Sequence, residues 1–87
     1  MIADNVVVNS RLREDLANLC HDQWSNWTKY LFDKCVKNSD GTLTIPLWAV
    51  ERWSKQFNTD YKQLSESEMD SDRTEADKFI DIIAKYQ

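Results

Sequence analysis

The 87-residue chain contains one glycine and one proline, Gly41 and Pro46, and both lie near the middle of the sequence. These residue types are the main breakers of regular structure, so their scarcity predicts long helices joined by short links. With 41% hydrophobic and 11% aromatic residues, the chain has enough apolar side chains for one small core. We therefore predict a single all-α domain of three helices over residues 1–87.

Apolar residues that recur at three- and four-residue steps set the helix boundaries. A turn cluster at 38–41 ends the first helix, and a short extended connector at 43–45 leads to the second. Pro46 suits the start of that second helix, where its missing N–H is not needed. The lead-in includes a candidate extended segment at Val6 to Val8. The predicted elements are a lead-in at 1–9 and helices at about 10–37, 46–57 and 65–86.

The third helix has a clear start signal. Ser65 and Glu68 form an S-x-x-E capping box, and Leu64 and Met69 have the spacing of a hydrophobic staple. Arg73 falls within the apolar stripe of this helix, so we expect it either to pair with a carboxylate or to bind a ligand phosphate. The predicted stripe consists of Met69, Ala76, Phe79, Ile80 and Ile83.

Charge and cysteine content exclude several classes of function. A net charge of −4 and a pI near 4.8 argue against binding to duplex nucleic acid or to an anionic membrane. No apolar run reaches membrane-spanning length, and the N-terminal residues do not have the pattern of a signal peptide. Cys20 and Cys35 both fall in the first predicted helix, roughly 22 Å apart, which is too far for a disulfide. We expect reduced thiols and a cytoplasmic protein without a zinc site.

No catalytic pattern is visible in the sequence. There is no paired nucleophile and base, no metal-ligand spacing and no phosphate-binding loop, so we predict a protein that binds without catalysis, metal or cofactor. The single histidine, His21, is a candidate general base. It has no serine or cysteine partner at a convincing spacing, and a structural or ligand-contacting hydrogen bond is the favoured role.

Two resemblances cover parts of the chain. The pattern Tyr61-x-x-Leu64-Ser65-Glu66-x-Glu68-x-x-x-Asp72-Arg73-x-x-Ala76, with His21-x-x-Trp24 upstream, resembles the end of the ryanodine-receptor (RyR) repeat domain. The glycine- and proline-rich middle of that domain is absent here. Residues of about 16–84 also resemble small phage and prophage proteins of unassigned role. The shared residues are His21-x-x-Trp24-x-x-Trp27-x-x-Tyr30, Ile45-Pro46, Val50-Glu51-Arg52-Trp53, Gln56 and the segment from Tyr61 to Ala76.

These resemblances imply a phage-type protein that binds and sequesters a nucleotide-derived signal, such as an ADP-ribose-like molecule or a cyclic nucleotide, and so counters a host defence. Arg73 would then hold phosphate, and His21 would donate a hydrogen bond. The aromatic residues that would stack on the base are Tyr61, Trp24 and Trp27. Simple core packing is the alternative role, and it is favoured for Trp24 and Trp53. Gln23 is a further candidate for a buried polar contact.

Two other functions remain open from the sequence. The chain could be a protein–protein inhibitor or adaptor, for example an anti-CRISPR-like factor, that docks on a host protein through an acidic face and Trp48. Trp48 lies off the apolar face of the second helix, and packing against the segment around Val6 to Val8 is the alternative. An enzyme that cleaves a small nucleotide with His21 is the third hypothesis. A homo-oligomer is a candidate state, because four tryptophans exceed what a small domain readily buries.

Overall fold

The computed structural model describes the backbone from Ile2 to Gln87 and the side chains from Ser10 onward. Each of its two strands is only two residues long, so the predicted all-α class with three helices is confirmed. The elements in chain order are α1 Ile2–Lys34, β1 Val36–Lys37, β2 Leu43–Thr44, α2 Leu47–Phe57, a single 3-10 turn Tyr61–Gln63 and α3 Glu66–Ala84.

The start of α1 differs from the prediction. The helix begins at Ile2, so the backbone of residues 2–9 is helical, and neither the predicted lead-in nor the extended segment at Val6 to Val8 is correct. β-branched residues lower helix propensity by only roughly 0.5 kcal/mol each. No glycine or proline lies between Ile2 and Ser10, so no strong breaker opposes continuation of the helix.

The end of α1 also differs, because strand pairing takes over. The helix stops at Lys34 rather than at residue 37, and the next residues form a small antiparallel hairpin. Cys35 therefore lies just beyond α1, and both it and Cys20 are free thiols. The register pairs are Val36 with Thr44 and Lys37 with Leu43.

The turn of the hairpin requires the particular residues Gly41 and Asp40. Gly41 has a φ of +89°, a backbone conformation that side chains disfavour. The Asp40 carboxylate accepts the hydroxyl of Thr42 at 2.6 Å and its backbone N–H at 3.0 Å. These bonds favour the ionised carboxylate and lower the pKa of Asp40. The predicted turn at 38–41 is thereby confirmed, and the connector after it is strand β2.

Helix α2 is anchored at both ends by backbone carbonyls. The carbonyl of Pro46 accepts the N–H groups of Ala49 at 3.0 Å and Val50 at 3.1 Å. At the other end, the Asn58 side chain donates to the carbonyl of Ser54 at 2.9 Å. Ala49 is fully buried, so α2 approaches its neighbours most closely at that point. Its remaining contacts with α1 come from large aromatic side chains.

Helix α3 begins with the predicted capping box. The Ser65 hydroxyl accepts the N–H of Glu68 at 3.2 Å, and the Glu68 carboxylate accepts the N–H of Ser65 at 3.2 Å and its hydroxyl at 2.7 Å. The hydroxyl contact and then the backbone contact lower the pKa of Glu68. The helix ends at Ala84, two residues before the predicted boundary.

Helices α1 and α3 pack against each other as an antiparallel pair. Leu19 is buried between them, with 8% of its surface exposed. The Gln23 amide donates to the carbonyl of Glu75 at 3.3 Å, which is the predicted polar contact in a part-buried position. Near the opposite ends of the pair, the Tyr86 hydroxyl donates to the Asp15 carboxylate. That bond raises the pKa of Tyr86, because the neutral hydroxyl is the donor.

The packed face of α3 overlaps the predicted stripe only in part, because Phe79 belongs to both but Ile80 and Ile83 do not. Ile80 is 59% exposed and Ile83 is 38% exposed, and Arg73 lies on the same outer side. The sequence offers two apolar stripes on α3, and the tertiary contacts with α1 select one of them. The half-buried residues on the selected side are Glu75, Phe79, Ile82 and Tyr86.

The molecule is open for its size. Its radius of gyration is 17.8 Å, against about 12 Å for a compact domain of this length. Among residues 10–87, Leu19 and Ala49 are the only buried apolar residues. Within the described chain, no helix combines the length and the hydrophobicity that crossing a bilayer requires.

Candidate ligand groove

Four aromatic side chains meet where α1 and α2 approach each other. Trp53 of α2 packs edge-on against Trp27 of α1, with ring centroids 5.4 Å apart. Tyr30 stacks on Trp27 at 5.5 Å and lies 6.4 Å from Trp53. Trp48 touches the other side of Trp53 at 6.1 Å. Trp53 is therefore the hub that holds α2 against α1, since aromatic pairs at these distances attract each other.

Three of these rings, Trp27, Tyr30 and Trp53, line a groove between α1, α2 and α3. The groove has a volume of about 1300 Å³ and is open to solvent along one side. We call it the aromatic groove, because six aromatic side chains line it. The aromatic residues that line it are Trp27, Tyr30, Trp53, Phe57, Tyr61 and Phe79.

Polar groups line the remainder of the aromatic groove. The neutral donors and acceptors include the amides Gln23, Asn26 and Gln56, and hydroxyl groups stand on α3. The charged residues are Arg52 from α2 and Glu68, Asp72 and Glu75 from α3. The wall formed by α3 is therefore acidic, and Arg52 is the only cation in the lining that residues 10–87 provide.

Two of the five predicted ligand residues, Trp27 and Tyr61, lie in the aromatic groove. The other three do not. His21 and Trp24 stack on each other with ring centroids 6.3 Å apart, at a separate position on α1. Trp24 is 63% exposed, so the core role favoured for it is wrong. The structure does not bring the predicted set together.

Arg73 is paired with carboxylates of its own helix. Its guanidinium lies 2.8 Å from a Glu66 oxygen and 2.9 Å from an Asp70 oxygen. First Glu66 and then Asp70 raise the pKa of Arg73. About half of the side chain is exposed, and Arg73 does not line the aromatic groove. The alternative role given to it, pairing with a carboxylate, is the one observed.

Trp48 is partly covered by Trp53 and remains 46% exposed. Leu47 and Phe57, at the two ends of α2, are more exposed, at 71% and 76%. The side chains of Val6 to Val8, the alternative packing partners of Trp48, lie outside the described side chains. The exposed apolar surface of α2 is thus broader than the single tryptophan that the sequence singled out.

The residues that sequence reasoning missed are Arg52, Gln56 and Phe57. A signal for the first two existed, because Arg52 and Gln56 flank Trp53 in the segment that carried the phage resemblance. At four residues apart they lie on one side of α2. Comparison of the chain with models of protein families, with curated proteins and with solved structures finds no match in any of the three.

Proposed function

We propose that this chain is a non-enzymatic binding protein that holds a nucleotide-derived small molecule in the aromatic groove. The observation that carries the proposal is the combination of exposed ring surface with amide groups in one groove. Trp27 and Tyr61 each keep nearly half of their surface accessible, at 48% and 45%. Aromatic faces of this kind bind nucleobases by stacking, at about 1–3 kcal/mol per base.

The polar residues of the groove would orient a bound nucleotide. Side-chain amides present donors and acceptors together, and this matches the edges of a nucleobase. Gln23 already donates one amide N–H to the Glu75 carbonyl. Asn26 and Gln56 are therefore the better candidates for hydrogen bonds to a ligand. Arg52 takes the phosphate-binding role that the sequence had suggested for Arg73, because it lines the same groove as the rings.

The acidic wall limits the charge of the ligand. Glu68, Asp72 and Glu75 face the groove with Arg52 as the only lining cation, so a strongly anionic molecule meets net repulsion. A cyclic nucleotide or an ADP-ribose-like molecule carries fewer negative charges than a nucleoside triphosphate. We expect the first two to bind more tightly than the third. In a phage setting, a protein of this kind would sequester a host defence signal.

A second candidate function is a protein–protein inhibitor or adaptor. The observation in its favour is the distribution of charge: residues 65–87 contain seven acidic and three basic residues, so they carry the whole net charge of −4. The acidic α3 suits a basic protein partner, because opposite potentials steer association. The exposed Trp48 is a candidate apolar contact for the same partner. This function would act through α3 and Trp48 rather than through the rings of the groove.

A ligand titration separates the two candidates. Calorimetry with cyclic dinucleotides, ADP-ribose and ATP should detect binding to the wild-type protein. Arg52→Ala should weaken it by about 10- to 100-fold, since a charge-assisted hydrogen bond is lost. Arg73→Ala and Trp48→Ala are matched controls and should leave the affinity unchanged. Mass spectrometry should recover the ligand intact. An absence of binding by every nucleotide would overturn the proposal and favour the adaptor.

A further inference from the structure

We infer that a second copy of this chain packs on the aromatic groove, with α2 of each copy against the groove of the other. The first observation is the accessible surface. The chain exposes 7273 Å², whereas a folded monomer of 10.3 kDa exposes about 5,400 Å². The excess is about 1,900 Å². Obligate homodimers bury about 2,000–5,000 Å² in total, so the chain has enough accessible surface to supply one protomer's share.

The small core favours a permanent partner. Only Leu19 and Ala49 are buried apolar residues among positions 10–87, and domains of this size gain little stability from a core of two side chains. A second copy is present whenever the chain itself is made. A foreign partner does not meet that condition. The deficit in core packing therefore favours self-association over docking of another protein.

The size of the groove is also consistent with a second copy of the chain as its occupant. Small-molecule sites usually have volumes of about 300–1,000 Å³, and this groove, at about 1300 Å³, also has room for a larger occupant. Phe57, which lines the groove, is 76% exposed, and Leu47 at the other end of α2 is 71% exposed. Exposed apolar side chains at both ends of α2, next to an apolar groove, suit a dimer in which each copy places its α2 against the groove of the other.

Charge decides which element of the second copy enters the groove. Helix α3 contains seven acidic residues among positions 66–81, so two α3 helices repel each other. Helix α2 carries Arg52 and Lys55 against Glu51 and has a net charge of +1. The groove wall presents Glu68, Asp72 and Glu75. An α2 helix from a second copy is therefore complementary to this wall, and a two-fold axis makes the exchange mutual.

The inference does not rest on the proposed small-molecule function, because it concerns the protein without ligand. A ligand in the same groove would compete with α2 of the second copy. The experiment is sedimentation velocity and native mass spectrometry of the ligand-free wild-type chain at micromolar concentration, with the expected result a dimer or a multiple of it. A monomeric wild-type protein would overturn the inference, whatever ligand the protein binds. A failed nucleotide titration with an intact dimer would overturn only the proposed function.

Two phenylalanine variants locate the interface. Phe57→Asp places a charge in the groove and should weaken self-association by about 30-fold or more, as expected for an interface hot spot. Phe32→Asp is the matched control, since Phe32 is 55% exposed and does not line the groove. Leu47→Asp should act like Phe57→Asp. Circular dichroism should detect unchanged helix content in all three. Equal loss of association in Phe57→Asp and Phe32→Asp, or retention in Phe57→Asp, would refute the groove as the interface.

Discussion

The two sides of this molecule are held together in different ways. Along the α1–α3 pair, a buried leucine, an amide–carbonyl bond and a tyrosine–aspartate bond connect the helices at three levels. On the other side, α2 rests on α1 mainly through Trp53 and its aromatic neighbours, and a groove separates it from α3. The first side supplies the stability of the single chain. The second side leaves its apolar surface available to whatever binds there.

The largest expected effect tests the packed side. Leu19→Ala should lower the free energy of unfolding by about 2–5 kcal/mol, because it opens a cavity in the small core. Phe32→Ala removes an exposed side chain of similar hydrophobicity. It should change the free energy of unfolding by less than about 0.5 kcal/mol. Urea denaturation measures both. Equal destabilisation by the two variants would mean that the α1–α3 pair does not dominate stability.

The next effect tests the aromatic hub. Trp53→Ala should release α2 while the α1–α3 pair remains, with a loss of up to about 3 kcal/mol because Trp53 is only half-buried. Hydrogen exchange should then accelerate in residues 47–57 and stay slow in α3. Trp24→Ala, which removes a 63% exposed ring outside the groove, is the control and should leave the exchange pattern unchanged. Uniform acceleration in every helix would contradict the separation of the two sides.

A smaller effect tests the start of α3, which carries the acidic wall of the groove. Ser65→Ala removes the N-cap acceptor and should destabilise the protein by about 1 kcal/mol. Ser71→Ala, on the same helix but away from the cap, should cause no loss. Thermal unfolding followed by circular dichroism compares the two variants. A neutral Ser65→Ala would indicate that tertiary contacts alone fix the start of α3.

The smallest effect is a pH dependence at the same cap. Folding lowers the pKa of Glu68 from a usual value of 4.5, so its ionised form stabilises the fold above that pH. This contribution is lost as the pH falls below 4.5 and through the lower pKa of the folded state. Glu68→Gln should therefore flatten the acid limb of a plot of melting temperature against pH. An unchanged acid limb would mean that the Glu68 carboxylate does not stabilise the cap.

The sequence predicted those features that depend on local chemistry. The capping box, the turn at 38–41 and the three helices all follow from residues close together in the chain. The choice between two apolar stripes on α3 depends on which side meets α1, and that contact joins residues more than fifty positions apart. Ile80 was therefore assigned to the packed face although it is exposed.

The candidate site was predicted only in part for the same reason. Trp27 and Tyr61 were chosen for their aromatic rings, and their positions bring them into one groove. Arg73 was chosen because it interrupts an apolar stripe, yet its two carboxylate partners lie on its own helix and account for its position. Arg52 lies in the segment that carries the phage resemblance, but nothing in its local sequence indicates that α2 faces α3 across a groove.

Residues that contact each other between α1 and α3 lie far apart in the sequence, so the ribosome makes them at different times. Gln23 is made 52 residues before Glu75, and at about 5–20 residues per second the interval is roughly 3–10 seconds. Trp53 follows Trp27 by only 26 residues, so the side chains that hold α2 against α1 are synthesised before α3. The residues of the loosely held side are therefore made first, and the face of α1 that receives α3 stays uncovered until the ribosome has made that helix.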